Sequence, residues 1–191
     1  LRRTKEAVAP ELPPKQEQVL EISLDPRHRR IYDTHLQRER QKILGLVDDL
    51  DRNRFIVFRS LTLLRMLRLD AALIDPEGYA NVPSAKLDGL LEQLDDVVKE
   101  GHQALVFSQF VDHLAILRDL LDKKGVAYQY LDGSTPAAAR KKAVDAFQNG
   151  EGDVFLISVK AGGLGLNLTA ADYVIHMDPW WNPAVEDQAS D

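Results

Sequence analysis

The most glycine-rich stretch of the chain is Ala161-Gly162-Gly163-Leu164-Gly165-Leu166-Asn167-Leu168, which follows a short apolar run. Glycine allows a backbone to approach a phosphate closely and to present its amide N–H groups. Neither common phosphate loop matches, because the sequence has no G-x-x-x-x-G-K-[ST] and Leu168 occupies the last position of a G-x-G-x-x-G. Taken alone, the stretch fits a tight strand-to-helix turn as well as it fits a phosphate contact.

Two shorter polar segments also follow apolar runs. In Asp132-Gly133-Ser134-Thr135-Pro136, Ser134 or Thr135 is predicted to cap the helix that Pro136 begins. A helix N-terminus with free hydroxyls and amides can bind an anion. Ser108-Gln109 places polar groups directly after Val106-Phe107. Each segment by itself is explained more simply by ordinary capping or by polarity at the end of a strand.

The segment Asp178-Pro179-Trp180-Trp181-Asn182-Pro183 is the most unusual of the chain. One of its two tryptophans could present a flat face to a sugar or a base, or both could pack beneath the loop. Arg54, Arg65 and Arg68 share one helical face by the 3.6-residue period. These arginines could contact phosphates, although a solvated or acid-paired face is the simpler interpretation.

Composition excludes several classes of chemistry. The chain has no cysteine, so it has no disulfide, no catalytic thiol and no cysteine-ligated metal. Its five histidines are scattered without an H-E-x-x-H motif, so no metal site is expected. Ser158 and His176 lack the third partner of a hydrolytic triad. No run approaches the roughly 18 apolar residues of a membrane span.

The net charge of −6 over 191 residues is unevenly distributed. Residues 1–69 contain 15 Lys and Arg against 10 Asp and Glu, whereas residues 70–191 contain 9 against 20. An acidic half argues against a general basic surface for nucleic acid. Any nucleic-acid contact is therefore expected to be local, through backbone amides, hydroxyls and a few basic side chains.

The elements that would position these residues divide into two parts, of which the first is mostly helical. Alternation predicts a strand over Gln16–Leu24, and Asp25-Pro26 predicts the start of a helix that ends near Asp51. Ten of the fifteen residues in Phe55–Leu69 are apolar, which predicts a second and mostly buried helix. A linker then runs to Pro83.

From Ser84 onward the chain alternates helices and strands. The predicted helices cover 84–100, 110–124 and 136–148, and the predicted strands cover 103–107, 126–131, 153–158 and 173–177. Short apolar strands separated by helices predict an α/β fold with a parallel sheet covered on both faces. Because ligands bind at the carboxyl ends of such strands, four segments are expected to share one edge: Ser108-Gln109, Asp132–Thr135, Lys160–Asn167 and Asp178-Pro179.

Taken together and in order, these segments resemble the SWI/SNF-type (Snf2) ATPases of helicase superfamily 2. The run from Phe155 to Asp172, continued by Val174–Pro183, is similar to the family's motif V and the segment after it. Leu105–Phe110 resembles motif IV, and Gln188–Asp191 resembles the opening of motif VI. Supporting similarities extend the resemblance over the whole chain: Tyr130–Thr135 with Arg140 and Phe147, Leu1–Lys5 with Leu12–Lys15, and Leu61–Leu73.

The resemblance implies a RecA-like second motor lobe, with helices on both faces of its parallel sheet, preceded by a helical insertion. It implies a linker and strand leaving the first motor lobe over residues 1–24, and a two-helix protrusion with its linker over 25–83. The second lobe would occupy 84–191 and stop within motif VI. In this family two such lobes close around ATP and move along duplex DNA. The chain is therefore expected to belong to a DNA-stimulated ATP hydrolase that remodels protein–DNA complexes.

The resemblance also implies roles for particular residues. Those expected to face ATP and the other lobe are Gly165, Asn167, Gln188 and Asp191, with Gln188 lining the cleft. Those expected along the DNA backbone are Ser108, Gln109, Gly133, Ser134, Thr135, Lys160, Ala161, Gly162 and Gly163, with Trp181 as a further duplex contact. Small residues and amides can follow phosphates without net positive charge, which reconciles DNA binding with the acidic half.

The departures from the family pattern limit what these residues are expected to do alone. The sequence stops at Asp191, where motif VI would next supply arginines that stabilise charge on the transferring phosphoryl group. The phosphate loop and magnesium-holding acids belong to the first lobe. ATP and Mg²⁺ are therefore expected in the full-length enzyme, with none bound and no ATP hydrolysed by this fragment.

The expected partners are duplex DNA, the first lobe of the same chain and a protein–DNA complex as the remodelling target, without a membrane. The expected location is the nucleoid-associated cytoplasm of a bacterium or the nucleus of a eukaryote. Two alternatives remain open. One is an RNA or strand-separating helicase lobe, against which the two-tryptophan loop argues. The other is a non-motor α/β binding module that has lost catalysis, against which the intact Gly162–Asn167 run argues.

Overall fold

A computed structural model describes residues 16–46, 50–162 and 166–178 of the chain. Its helices are α1 (Pro26–Leu44), α2 (Leu50–Leu69), a short 3-10 helix (Ala71–Leu73), α3 (Ala85–Lys99), α4 (Val111–Lys124), α5 (Ala137–Gln148) and α6 (Val159–Gly162). Its strands are β1 (Ala104–Ser108), β2 (Tyr128–Leu131), β3 (Val154–Ser158) and β4 (Tyr173–His176). From α3 onward, helices and strands alternate as the sequence predicts.

The four strands form one parallel sheet in the order β2-β3-β1-β4. Every residue of β1 and β3 is buried, because helices cover both faces of the sheet. Side chains alternate along each strand, so Val106 and Leu156 face α3 and α4, whereas Leu105 and Phe155 face α5 and α6. The predicted RecA-like α/β fold with a doubly covered parallel sheet is thereby confirmed.

The start of α1 follows its sequence signals, but its end does not. Asp25 accepts hydrogen bonds from the amides of Arg27 (2.8 Å) and His28 (3.4 Å), and Pro26 occupies the first helical position, as predicted. The helix ends at Leu44, and the predicted continuation to about Asp51 is wrong. Gly45 follows the last helical residue, and glycine carries a high entropic cost inside a helix.

The predicted strand over Gln16–Leu24 is also wrong, because residues 16–25 form no regular secondary structure. A strand requires a partner edge, and the sheet of the described chain pairs only β1 to β4 with one another. Val19, Leu20 and Ile22 are 90%, 56% and 37% exposed. A Cβ placed on Gly89 of α3 would come 2.9 Å from the Ile22 Cδ1. The alternation therefore does not mark a buried face, although Ile22 of this extended segment approaches α3.

Helix α2 begins earlier than predicted and is much less buried. Leu67 and Leu69 are buried, but Phe55, Phe58 and Leu61 are 76%, 67% and 50% exposed. The expectation of a mostly buried helix is wrong for the described chain, because α1 and the 3-10 helix cover only one side of α2. Apolar composition shows that a helix could be buried, but it does not show how many sides are covered.

Polar contacts fix α2 against α1. Glu39 is buried in α1 and accepts a short hydrogen bond from the Ser60 hydroxyl of α2. That hydrogen bond is the main reason why the pKa of Glu39 lies below its ordinary value. His28 is also buried, with its Nε2 atom 2.6 Å from the carbonyl oxygen of Leu67. These contacts set the orientation of the two helices that precede the sheet.

Candidate functional site

The carboxyl ends of β1 and β4 lie side by side, as the sequence predicts. The two strands pair in parallel with Phe107 opposite His176, and the Met177 amide donates to the Phe107 carbonyl (3.0 Å). Ser108 and Asp178 follow directly and meet above the sheet. On the other side of β1, Ser108 pairs in register with Ser158 at the end of β3. The predicted common edge of Ser108-Gln109 and Asp178 is thus present.

Asp178 accepts hydrogen bonds from both residues at the end of β1. Its Oδ1 atom accepts from the Ser108 hydroxyl (2.8 Å), and both carboxylate oxygens lie 3.3 Å from the Gln109 amide nitrogen that donates to them. The Phe110 amide donates to the Ser108 Oγ atom (3.2 Å). Burial raises the pKa of Asp178, and the hydrogen bond from Ser108 opposes that rise.

This arrangement places Ser108 in the interior. Its side chain has no exposed surface, and its hydroxyl proton is directed to Asp178. Gln109 is half-buried, and its backbone N–H also points to the Asp178 carboxylate. The Gln109 Nε2 atom is also buried, with no hydrogen-bond partner among the described residues, so in this conformation neither Ser108 nor Gln109 presents a donor at the edge.

The loop after β2 is organised by Asp132. The Asp132 Oδ1 atom accepts from the Ser134 amide (2.8 Å), the Ser134 hydroxyl (2.6 Å) and the Thr135 hydroxyl (3.3 Å). Its Oδ2 atom accepts from the Tyr130 hydroxyl (2.7 Å). These hydrogen bonds, led by the one from the Ser134 side chain, lower the pKa of Asp132 to about 2. The carboxylate is therefore ionised at neutral pH.

The neighbours of Asp132 complete this loop. Burial, followed by the hydrogen bond to Asp132, raises the pKa of Tyr130 to about 12, and the Arg118 guanidinium lies 4.5 Å from the Tyr130 ring centre. Gly133 is exposed, and a Cβ added there would meet no atom within 4 Å. Ser134 is exposed and Thr135 is half-buried, but both hydroxyl protons are directed to Asp132. A phosphate at this loop would compete with Asp132 for those protons.

The segment after β3 combines an exposed cation with buried small residues. Lys160 is exposed, whereas Ala161 and Gly162 are buried. A Cβ on Gly162 would lie 2.6 Å from Cε1 of Phe107, whose ring is buried and stacks on His176 at 5.3 Å. Glycine is required at this position by the close approach to an aromatic ring. The sequence analysis treats Lys160–Gly163 as backbone that follows phosphates. It does not predict that Gly162 packs against the ring of Phe107.

We expect Gly162→Ala to destabilise the fold by about 1–3 kcal/mol, because the added methyl overpacks against a Phe107 ring that cannot move aside. Urea unfolding followed by circular dichroism measures the change. Gly133→Ala is the matched control, since a Cβ there enters open space and no such loss is expected. Equal stability of Gly162→Ala and the unsubstituted chain would contradict the packing.

The residues expected to face ATP fall largely outside the described part of the chain. Asn167 is exposed beyond α6. Gly165, Gln188 and Asp191 lie outside the described residues, as do the DNA-contact candidates Gly163 and Trp181. Of the four residues expected to face the nucleotide, Asn167 is the one that lies within the described part of the chain.

Two of the three arginines on α2 lie near this edge of the sheet. Arg65 is half-buried and its charge favours the ionised form of Asp178, whereas Arg54 is exposed. Burial, followed by repulsion from Arg68, lowers the pKa of Lys86. The negative charge of Asp178 opposes this lowering of the Lys86 pKa. Charged groups of α2 and α3 therefore interact with the carboxylate that follows β4. Of the arginine face that was predicted to be solvated, Arg65 is half-buried, whereas Arg54 and Arg68 are exposed.

Over residues 16–46, 50–162 and 166–178, no group of three His, Cys, Asp or Glu side chains is arranged to hold a metal ion. In the same residues, none of the helices combines the length and the apolar character that crossing a bilayer requires.

His113 is buried with neither ring nitrogen hydrogen-bonded within this part of the chain. Burial, with a smaller effect of Lys86, lowers its pKa to about 4.

The sequence placed Asp132 and Asp178 in segments at this edge of the sheet, but it assigned neither aspartate a role in organising the site. Asp132 was identifiable in principle, because an aspartate followed at the second and third positions by Ser134 and Thr135 is typical of an Asx turn. Asp178 had only its position after an apolar strand as a signal. Its bond to Ser108 joins residues 70 positions apart, and it depends on β4 pairing with β1.

Comparison with known proteins agrees with this geometry. The family described as helicase conserved C-terminal domain matches residues 85–191. An uncharacterised ATP-dependent helicase of Mycoplasma pneumoniae is 35% identical over 192 residues, which include all of this chain and 18% of that protein. The chain thus spans about a fifth of the length of this curated relative.

Two solved structures from Sulfolobus solfataricus are similar in fold and sequence. A SWI2/SNF2 ATPase C-terminal domain is 30% identical with a TM-score of 0.70, covering 86% of this chain and 72% of that domain. A SWI2/SNF2 ATPase core in complex with dsDNA is 26% identical with a TM-score of 0.77, covering 99% of this chain and 41% of that core. The likeness extends over both the helices before the sheet and the sheet itself.

Proposed function

The chain belongs to the helicase conserved C-terminal domain family, as the C-terminal lobe of a Snf2-type ATPase, and on that premise we propose that it serves an ATP-dependent translocase of duplex DNA. The observation that carries the proposal is the edge of the sheet, where Gln109, Ser134 and Lys160 follow three neighbouring strands. We assign residues 1–24 to the connection from the first lobe, 25–83 to the protrusion and 84–191 to the second lobe.

Duplex DNA is the partner that this edge supports best. The edge offers the exposed Lys160 and the small exposed residues Gly133 and Ser134, which suit a phosphate backbone that is followed without reading bases. The similar Sulfolobus core was solved with dsDNA, which supports the same partner here. In this proposal the contacts come from Gly133 and the Lys160–Gly163 run, and Trp181 is proposed as a further contact. Gln109 contributes if its buried Nε2 atom turns outward. Ser134 and Thr135 contribute if the phosphate displaces Asp132.

ATP is the proposed cofactor, held between this lobe and the first. Exposed Asn167 is a polar amide that fits a nucleotide contact, and Gly165, Gln188 and Asp191 are proposed as further nucleotide contacts. By the family resemblance, we assign the Mg²⁺ ligands to the first lobe. When bound, ATP would supply the free energy for movement. The remodelled target is proposed to be a protein–DNA complex, in the nucleoid or the nucleus.

The test is ATP hydrolysis by the full-length parent chain without nucleic acid and with duplex DNA, single-stranded DNA or RNA. We expect duplex DNA to raise turnover at least about tenfold, because Snf2-type lobes close productively on a duplex. The 191-residue chain alone is expected to hydrolyse no ATP, since its sequence has no G-x-x-x-x-G-K-[ST] loop.

The different nucleic acids in that experiment distinguish a duplex-DNA translocase from the two alternative functions. Stimulation by single strands or RNA alone would move the assignment to a strand-separating helicase. Hydrolysis under no condition would leave a nucleic-acid-binding module with a motor's fold. Turnover by the isolated 191-residue chain above a buffer blank would contradict the assignment of the phosphate loop to the first lobe.

A further inference from the structure

The end of α2 and the start of α3 are joined by a direct contact. The Ser84 hydroxyl, at the N-terminal end of α3, donates to the carbonyl oxygen of Leu69, the last residue of α2 (3.2 Å). Leu67 and Leu69 are buried, which fixes this end of α2 on the rest of the chain. Arg68 precedes Leu69, and Lys86 lies two positions after Ser84. The contact therefore brings two cationic side chains to one junction between the first helices and the lobe.

These two cations repel each other, and the nearby carboxylate does not cancel the repulsion. Burial lowers the pKa of Lys86, the charge of Arg68 lowers it further, and the charge of Asp178 offsets only part of the change. The Asp178 carboxylate is already engaged by the Ser108 hydroxyl (2.8 Å). Asp88 also lies in the first turn of α3, but residues two positions apart on a helix do not face each other. Positive charge therefore exceeds negative charge at this junction.

We propose that Arg68 and Lys86 bind a phosphate of the duplex DNA backbone. This inference rests on the proposed function and deepens it, because it adds a contact from the helices before the sheet. Arg68 is exposed and Lys86 is half-buried, so both side chains have accessible surface at which a phosphate can approach. A phosphate between two cations removes their mutual repulsion, and its hydrogen bonds to them are charge-assisted. Arginine and lysine are also the side chains that neutralise DNA phosphates.

The junction lies beside the edge of the sheet that is proposed to follow DNA. Asp178 directly follows β4, and its charge acts on Lys86 of α3. The exposed Lys160 follows β3, and β1 separates β3 from β4 in the sheet order β2-β3-β1-β4. One DNA backbone that follows this edge can therefore contact both Lys160 and the junction.

The test is equilibrium binding of a fluorescently labelled duplex by the full-length parent chain, measured by anisotropy at several salt concentrations without ATP. The variants are Arg68→Gln, Lys86→Gln and the two combined. Arg54→Gln is the matched control, because it removes the same charge from an exposed site about 20 Å earlier along the same helix.

We expect each single variant to raise the Kd severalfold and the double variant to raise it about tenfold. The double variant should also reduce the slope of log affinity against log salt concentration by about one, as the loss of one phosphate contact predicts. Arg54→Gln should stay within about twofold of wild type. An unchanged Kd and salt slope for the double variant would overturn the proposal, as would a loss for Arg54→Gln equal to that for Arg68→Gln.

Thermal unfolding separates phosphate binding from a structural role. Folding disfavours the charged form of Lys86, so Lys86→Gln should keep the Tm of wild type or raise it while it weakens DNA binding. A Kd that rises only in variants whose Tm falls would show a structural effect and reject the proposal. Where Lys86→Gln does not fold, Arg68→Gln against Arg54→Gln decides, and equal Kd values would reject the site.

ATP turnover of the same variants identifies the source of the phosphate. A raised KM for ATP with an unchanged Kd for the duplex would assign the two cations to a nucleotide phosphate and overturn the DNA contact. Absence of duplex binding and stimulation in the wild type would reject the proposed function itself. Wild-type stimulation by duplex DNA with unaltered variants would reject only the site formed by Arg68 and Lys86.

Discussion

Phe155→Ala is expected to lower the free energy of unfolding by about 3–5 kcal/mol, because it opens a cavity in a filled core. Phe155 is fully buried in β3, its ring lies 5.2 Å from that of Phe147 of α5, and Leu105 and Ile157 belong to the same cluster. Domains of this size are stable by only about 5–15 kcal/mol, so the loss is a large fraction of the total. Urea unfolding followed by circular dichroism measures it.

Phe55→Ala is the matched control, since it removes the same atoms from an exposed site. Phe55 of α2 is 76% exposed, and its truncation is expected to change stability by no more than about 0.5 kcal/mol. A loss for Phe55→Ala as large as that for Phe155→Ala would contradict the one-sided covering of α2. A loss below about 1 kcal/mol for Phe155→Ala would contradict the position of the core.

The lobe is the part of the fold that the sequence predicts best, because the signals for its strands and helices lie within the elements themselves. The two central strands, β1 and β3, are short apolar runs buried on both faces, so Ala104–Ser108 and Val154–Ser158 can be identified without knowledge of their partners. The residue that ends a helix in the lobe can also be recognised from the sequence next to it. Gly125 adopts a left-handed conformation with φ of 70°, as the position after a helix commonly requires, and it ends α4 where predicted.

The failures occur where structure depends on distant contacts. Alternation over Gln16–Leu24 is a valid strand signal, but a strand forms only if an edge is available to pair with it. The apolar composition of α2 does not determine how many sides are covered, and Phe55 and Phe58 remain exposed. For the site, topology alone places Ser108 and Asp178 at one edge. Whether they touch depends on the order of β1 and β4 in the sheet, which local patterns do not determine.

Asp132→Ala is expected to weaken the response to duplex DNA about tenfold, because several hydrogen bonds to an ionised carboxylate hold the loop after β2, and losing that loop conformation outweighs freeing the Ser134 and Thr135 hydroxyls for a phosphate. The substitution releases the Ser134 amide and hydroxyl, the Thr135 hydroxyl and the half-buried Tyr130 hydroxyl at once. The Tyr130 hydroxyl is then left without its acceptor beneath Arg118. The loop should lose the conformation that presents Gly133 at the edge. ATP turnover of the parent chain against DNA concentration measures the effect.

Acid titration of stability tests the same carboxylate independently of DNA. The pKa of Asp132 is lowered to about 2 in the folded chain from an ordinary value near 3.8, so its stabilising contribution is present above that ordinary value. As pH falls from about 4 toward 2, protonation removes the contribution, and wild type should lose stability over this interval. Asp132→Asn has no proton to gain, so the difference between it and wild type should shrink as pH falls. A difference that is constant between pH 6 and pH 2 would show that the charge of Asp132 does not organise the loop.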